Sequence, residues 1–186
     1  MSSSWDEEDD VGAQPVLYDY DDAASQVAVR IFYPGDEADF RRLNVAWIST
    51  YFRLESKDME VFDNPQAKII AKGGQIFLAY LQGVAVGTVA LIRMASDPRS
   101  YELAKMATDE RFQRRGIGRA LMQAAIGWAR RRCVRRLYLE TNSSLTPAIK
   151  LYESSGFKHM PPQSTPYKRA DVFMELRLEP EWVQYI

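Results

Sequence analysis

The sequence predicts a single α/β domain built on a mixed, mostly antiparallel, twisted sheet with helices on both faces. Three observations carry that expectation. A chain of 186 residues normally makes one domain large enough for a real core. Its apolar pattern changes from a helical period to alternation after about residue 74. A run of consecutive strands then gives way to alternating helices and strands, the order of a meander followed by crossover units.

Residues 1–25 hold eight acids and no base and show no amphipathic period. They are expected to form an acidic, disordered tail, because such a segment buries too little to offset its ordering entropy. The folded domain is placed at 26–182. "QVAVRIFY" (26–33) alternates as a strand does, and "PGDEA" supplies a turn and a helix start. From Asp36, Phe40, Leu43, Trp47, Ile48 and Tyr51 recur at helical spacing, predicting a helix to about Phe52. "DNPQAKIIAKGG" (63–74) reads as a short second helix, with Pro65 early and Gly73 closing it.

"QIFLAYL" (75–81) and "VAVGTVALIRM" (84–94) flank Gln82-Gly83 as an antiparallel hairpin. "SDPRS" turns the chain into a third strand, "YELAKMAT" (101–108). A helix is expected over about 116–132, with Leu121, Ala125 and Trp128 on one face, then a strand in "RRLYLET" (135–141). "TPAIKLYESS" (146–155) is a helix stopped by Gly156, and "FKHM" and "ADVFMELRL" (170–178) finish as strands.

Composition excludes several classes. No run of about 18 apolar residues is present, so no membrane span is expected. The N-terminus lacks the basic and apolar regions of a secretory signal, and Cys133 is the sole cysteine, which together point to a cytoplasmic protein. His159 is the sole histidine and has no Cys/His/acid cluster beside it, so no metal is expected. The net charge of −1 hides an asymmetry: with eight acids confined to residues 1–25, the remainder carries +7. Nine arginines and no acid lie between Arg111 and Arg136. Such a field suits nucleic acid or a phosphate-rich small ligand; with no helix-turn-helix companion, nucleic acid is not the expected partner. The acidic tail is itself a candidate cover for this basic segment.

"QRRGIGRA" (113–120) sits where a strand feeds a long helix. A helix N-terminus presents unpaired N–H groups and partial positive charge, and glycine lets backbone approach an anion closely. The spacing is neither Walker-type nor GxGxxG. A diphosphate cradle fits it better than a helix entry with merely solvated arginines.

"QRRGIGRA" resembles the Gln/Arg-x-x-Gly-x-Gly/Ala signature of the GCN5-related N-acetyltransferase (GNAT) superfamily, and "PAIKLYESSGF" (147–157) resembles its second signature, A-x-x-L-Y-E-x-x-G-F. The likeness covers roughly 28–178. It implies a GNAT-like fold, acetyl-CoA as the acetyl donor, and transfer to an amine by direct attack. It also implies that the backbone of Gln113, Arg114, Arg115, Gly116, Ile117 and Gly118 holds the pyrophosphate, with Arg114, Arg115 and Arg119 as counter-charge. The strand before the loop would take the cofactor arm and the acetyl oxygen on main-chain groups near Met106, Ala107 and Thr108. Tyr152 corresponds to the tyrosine that serves as general acid toward sulfur; core packing with the hydroxyl at the rim is the other reading. Glu102 falls where one branch carries a glutamate base, and a structural ion pair is its alternative. Where many relatives carry asparagine this chain has Leu145, so Asn142 is a candidate for a pantetheine or substrate hydrogen bond, or else a cap.

Substrate selection is expected from the first helices and the loop before the last strand. The residues are Trp47, Tyr51, Phe52, Glu55, Asp58 and Glu60 and the segment "PPQSTPYKRAD" (161–171): the three acids are candidates to attract a cationic amine on which Trp47 or Tyr51 stacks, and an ordinary helix face with Trp47 in the core is the other reading. The acceptor, a small molecule or a peptide, is not named by the sequence, nor is the choice between monomer and homodimer. A coenzyme-A-binding sensor without turnover is the competing function.

Overall fold

A computed structural model describes residues 17–18 and 27–178. The expected acidic tail over 1–25 lies outside the described residues save for Leu17–Tyr18, as does the end of the domain beyond 178. The strands are β1 (Leu17–Tyr18), β2 (Ala28–Ile31), β3 (Gln75–Leu81), β4 (Val84–Arg93), β5 (Ser100–Thr108), β6 (Arg136–Thr141), β7 (Lys158–His159) and β8 (Val172–Arg177). The helices are α1 (Glu37–Tyr51), α2 (Ser56–Asp63), α3 (Pro65–Lys68), α4 (Ile117–Arg131) and α5 (Thr146–Ser154). The strands form one sheet in the order β1-β2-β3-β4-β5-β6-β8-β7, antiparallel throughout except for the β5·β6 pair.

Alternation along β3 divides the core. Phe77, Ala79 and Leu81 enter a cluster with Leu121, Ala125 and Trp128 of α4, while Ile76 and Leu78 enter one with Phe40, Leu43 and Ile48 of α1 and Phe62 of α2. Helices therefore cover both faces, as the pattern predicts. α4 sits close on β4 because Gly87 lies beneath it: a Cβ there would lie 2.6 Å from Ile117 Cγ2. Trp128 meets Phe77 and Tyr101 edge-on, which fixes the other end of the helix.

The sequence reading misses α2, whose eight residues "SKDMEVFD" include no long apolar stripe. A local device and a tertiary one hold it. Glu55 and Asp58 form a capping box, with Glu55 N–H donating to Asp58 Oδ2 at 3.1 Å. Asp58, fully buried, also accepts from Lys105 Nζ on β5 at 2.8 Å and from both terminal nitrogens of Arg169 at 2.9 Å. Burial alone raises the carboxyl's pKa, but the hydrogen bonds from Arg169 and Lys105 outweigh it and leave the group below the usual carboxylate range. α2, β5 and the loop before β8 are thus joined through one carboxylate.

Replacing Asp58 with Asn leaves the buried Lys105 ammonium without its anion and Arg169 with Glu55 alone. Urea unfolding is expected to show a loss of about 3–5 kcal/mol. Because the folded pKa is depressed, Asp58's stabilisation is full above the unfolded carboxyl value near pH 4 and is lost as pH falls through the folded one. The variant's deficit should therefore shrink in acid.

Candidate active site

β5 and β6 pair at only three positions, Ser100↔Arg136, Tyr101↔Leu137 and Glu102↔Tyr138. Beyond Glu102 no pairing between the two strands continues. One cavity beside this divergence, about 750 Å³ and open to solvent, has walls from β5, β6, α1, α5 and the 167–170 loop. A second opening, about 810 Å³, lies at the start of α4. β5 connects them, with Met106 on the first and Thr108 on the second. α5 does the same with consecutive residues, Tyr152 on the first and Leu151 on the second.

The second opening gathers Thr108, Gln113, Arg114, Gly116, Ile117, Gly118 and Arg119. Gly116 is the N-cap of α4 with φ +75° and no side-chain cap, and Arg114 also has positive φ, +61°. The first N–H groups of α4 thus have neither an intrahelical acceptor nor a capping side chain. The two glycines do different work. Gly116 supplies the left-handed turn, and a Cβ there would meet nothing within 4 Å. At Gly118 a Cβ would lie 3.1 Å from Leu151 Cδ2, so that glycine lets α4 approach α5. Exposed amides, a positive helix end and Arg114 and Arg119 form a donor set that fits a diphosphate. Arg115 lies outside this lining, its guanidinium 5.7 Å from the Phe112 ring centroid. Ala107 is buried in the α1 face of the core, and Met106 packs against the α4 face.

Glu102 and Tyr152 both line the first cavity. Glu102 makes no hydrogen bond to another described residue, and burial, reinforced by the charge of Glu140, raises its pKa despite an opposing effect of Lys105. Glu140 is fixed by Tyr138 Oη at 3.1 Å and by the Thr165 hydroxyl. Tyr152 packs against Phe157 and its phenol is pushed up to about 12 by burial. Asn142 lines the same cavity, yet its side chain is engaged: Nδ2 donates to the Arg169 carbonyl at 2.6 Å and Oδ1 accepts from Ser144 N–H at 2.9 Å.

The acids expected to attract an amine are engaged elsewhere. Asp58 and Glu55 bind Arg169, Glu60 pairs with Lys68, and none of the three is on the cavity wall. Trp47 is on that wall; Tyr51 instead donates to Glu110 at 2.7 Å. Sequence reasoning missed Lys105 and Glu140 as lining residues, and reached Tyr167 and Arg169 only as part of the loop before the last strand. The one available signal for Lys105 was a second charged residue, three positions after Glu102, in a strand with a buried core face. Among the described residues no cluster of three or more His, Cys, Asp or Glu is placed to hold a metal, and no helix is long and apolar enough to cross a membrane.

Comparison with known proteins agrees with this geometry. Human N-acetylaspartate synthetase is 36% identical over 137 residues, which are 74% of this chain and 41% of that one. The chain therefore spans about two fifths of the length of the curated relatives it matches. The [ribosomal protein bS18]-alanine N-acetyltransferase of Escherichia coli K12 is 46% identical over 55 residues, 30% of this chain and 37% of that one. Among solved structures, a GNAT-family acetyltransferase from Staphylococcus aureus superposes with a TM-score of 0.73 at 21% identity, covering 82% of this chain and 99% of its own. A Salmonella typhimurium chain solved with its cofactor acetyl-CoA gives 0.67 at 21% identity, with 84% and 96% covered. The model of the acetyltransferase (GNAT) family matches residues 40–157, and this chain belongs to that family, whose members use acetyl-CoA.

Proposed function

We propose that the chain is an N-acetyltransferase that moves the acetyl group of acetyl-CoA to an amine, with Glu102 and Tyr152 as the catalytic pair. The observation that supports this most is that a high-pKa carboxyl from β5 and a buried phenol from α5 line one cavity beside the divergence of β5 from β6. The relatives named for N-acetylaspartate and for the alanine of ribosomal protein bS18 support an amine borne by an amino acid, free or within a protein.

The amides from Gln113 to Gly118, with Arg114 and Arg119, would hold the donor's diphosphate, and main-chain groups near Met106, Ala107 and Thr108 would orient its arm. When bound, acetyl-CoA supplies a thioester carbonyl at which a C–N bond forms while C–S breaks. The amine must first be neutral, and unperturbed alkylamines have pKa near 10. Glu102 takes that first proton, for which a raised pKa suits it better than an ordinary glutamate. The second amine proton ends on sulfur. A phenol at about 12 lies some 3.5 units above an ordinary thiol. Burial thus makes the phenol a weaker acid than a free one, which disfavours full transfer from Tyr152. Tyr152 instead stays protonated and donates a hydrogen bond to the departing sulfur, which modifies the acid role expected from the sequence.

Tyr152→Phe is expected to lower kcat at least about tenfold, with acetyl-CoA affinity retained; steady-state kinetics beside a binding isotherm would check it, and an unchanged kcat removes Tyr152 from the chemistry. Glu102 acts as a base only when ionised, so kcat/KM should fall as pH drops through a pKa above the ordinary glutamate value near 4.3. Glu102→Gln should lower kcat/KM by about 10²- to 10⁴-fold and abolish that acidic limb. Survival of the limb in the variant would assign it to another group.

A further inference from the structure

Lys105 lies within β5 at φ +53°, a left-handed conformation that strains a non-glycine residue and persists only where its surroundings hold it. The strain marks a bulge. Register on β4 passes from Ala90↔Ala104 to Thr88↔Ala107, so Val89 alone faces two residues of β5, Lys105 and Met106. Tyr101 and Leu103 point into the core under α4. Strict alternation would send Lys105 there as well. The inserted residue turns it to the opposite face, onto the cavity wall with Glu102, three residues earlier.

On that wall the charges are ordered. Lys105 and Arg169 border the cavity, whereas their anions, Asp58 and Glu55, do not. Lys105 Nζ donates to Asp58 Oδ1 at 2.8 Å and to Tyr167 Oη at 3.0 Å. Arg169 Nη1 donates to Glu55 Oε1 and Asp58 Oδ2, and Nη2 to Asp58 Oδ1, each at 2.9 Å. An ammonium carries three N–H bonds and a guanidinium five. These contacts leave one N–H of Lys105 and two of Arg169 uncommitted. The two cations thus border the cavity with donor capacity to spare, whereas the carboxylates that neutralise them do not border it. The other charged groups of the wall are two carboxylates, Glu102 and Glu140.

We infer that the acceptor is a free α-amino acid, held with its ammonium at Glu102 and Glu140 and its carboxylate at Lys105 and Arg169. The inference rests on the transferase reading and narrows it. A polyamine or aminoglycoside would press a second cation against Lys105 and Arg169. The amino terminus of a protein carries no carboxylate beside its amine. A zwitterion that carries its carboxylate beside its amine satisfies both groups of charges, and the bulge that strains the backbone is what brings Lys105 onto the wall with Glu102.

The test compares each standard amino acid with its own α-carboxamide, which keeps the amine and removes only the carboxylate, using coenzyme A thiol release by the unmodified full chain. Calorimetric binding of acetyl-CoA is read separately. The best amino acid is expected to exceed its amide in kcat/KM at least about tenfold, the worth of one charged hydrogen bond. Arg169→Lys, which keeps the charge and loses the planar fork, should raise KM for the amino acid without changing that for the amide. Equal rates for acid and amide, or no amino acid acetylated at all, overturn the assignment. If acetyl-CoA still binds in that event, only the acceptor is wrong; if it does not bind folded protein, the transferase reading falls too. The acid-to-amide comparison needs no variant and decides the question even if Arg169→Lys does not fold.

Discussion

Parallel strands hold together only while their slanted hydrogen bonds continue, and here β5 and β6 share them at three positions before the pairing stops. Both openings are bordered by β5 past that divergence. Ending the pairing leaves β5 main-chain groups past Glu102 without β6 as their partner. The chain between the strands forms α4, whose N-terminus faces one opening, and α5 follows β6 so that Leu151 and Tyr152 reach both openings. The same sheet that builds the core thus interrupts itself to make a site, and the helices on either face keep the interrupted strands in place.

Electrostatics along β5 follow from its packing. Lys105 and Asp58 are almost wholly withdrawn from water, at 6% and 0% side-chain exposure. A buried ion pair of this kind is weak evidence for stability, since desolvation offsets much of the attraction. Its value lies in position: it fixes Lys105 in a strained conformation and draws Arg169, with the loop that carries it, over α2. Glu102, on the same wall, has no hydrogen-bonding partner among the described residues, and burial together with the charge of Glu140 makes it hold its proton more tightly. One strand therefore carries a committed charge and an uncommitted one three residues apart.

The fold was largely legible because β3, β4, α1 and α4 bury one face each and so write their period into the sequence. α2 was not legible, since its stability comes from a capping box and a tertiary ion pair rather than an apolar stripe. The opening at α4 was legible through local signals: glycines, arginines and a helix start are contiguous. The cavity was less so. Its wall is assembled from Glu102, Glu140, Tyr152 and Arg169, which are far apart along the chain, and from Lys105, whose facing depends on a bulge that alternation alone does not reveal. Asp58 taken as an acid available to a cationic amine is the clearest failure, because sequence spacing does not show which side of a short helix is buried.

The arginine-rich stretch shows why charge must be placed before it is interpreted. Arg114, Arg115 and Arg119 lie at the start of α4, and Arg130, Arg131 and Arg132 at its end, about 15–20 Å away at 1.5 Å per residue. Beyond the helix, Arg136 is held by Glu175 at 2.7 Å and lies over Tyr138, while Arg132 stacks on Trp128. What looks continuous in sequence is two groups in space, separated by a helix whose middle is mostly buried. Arg114 and Arg119 of the first group border an opening with exposed amides. A phosphate-bearing ligand small enough to sit at one helix end therefore matches this charge better than a polymer that would track along it.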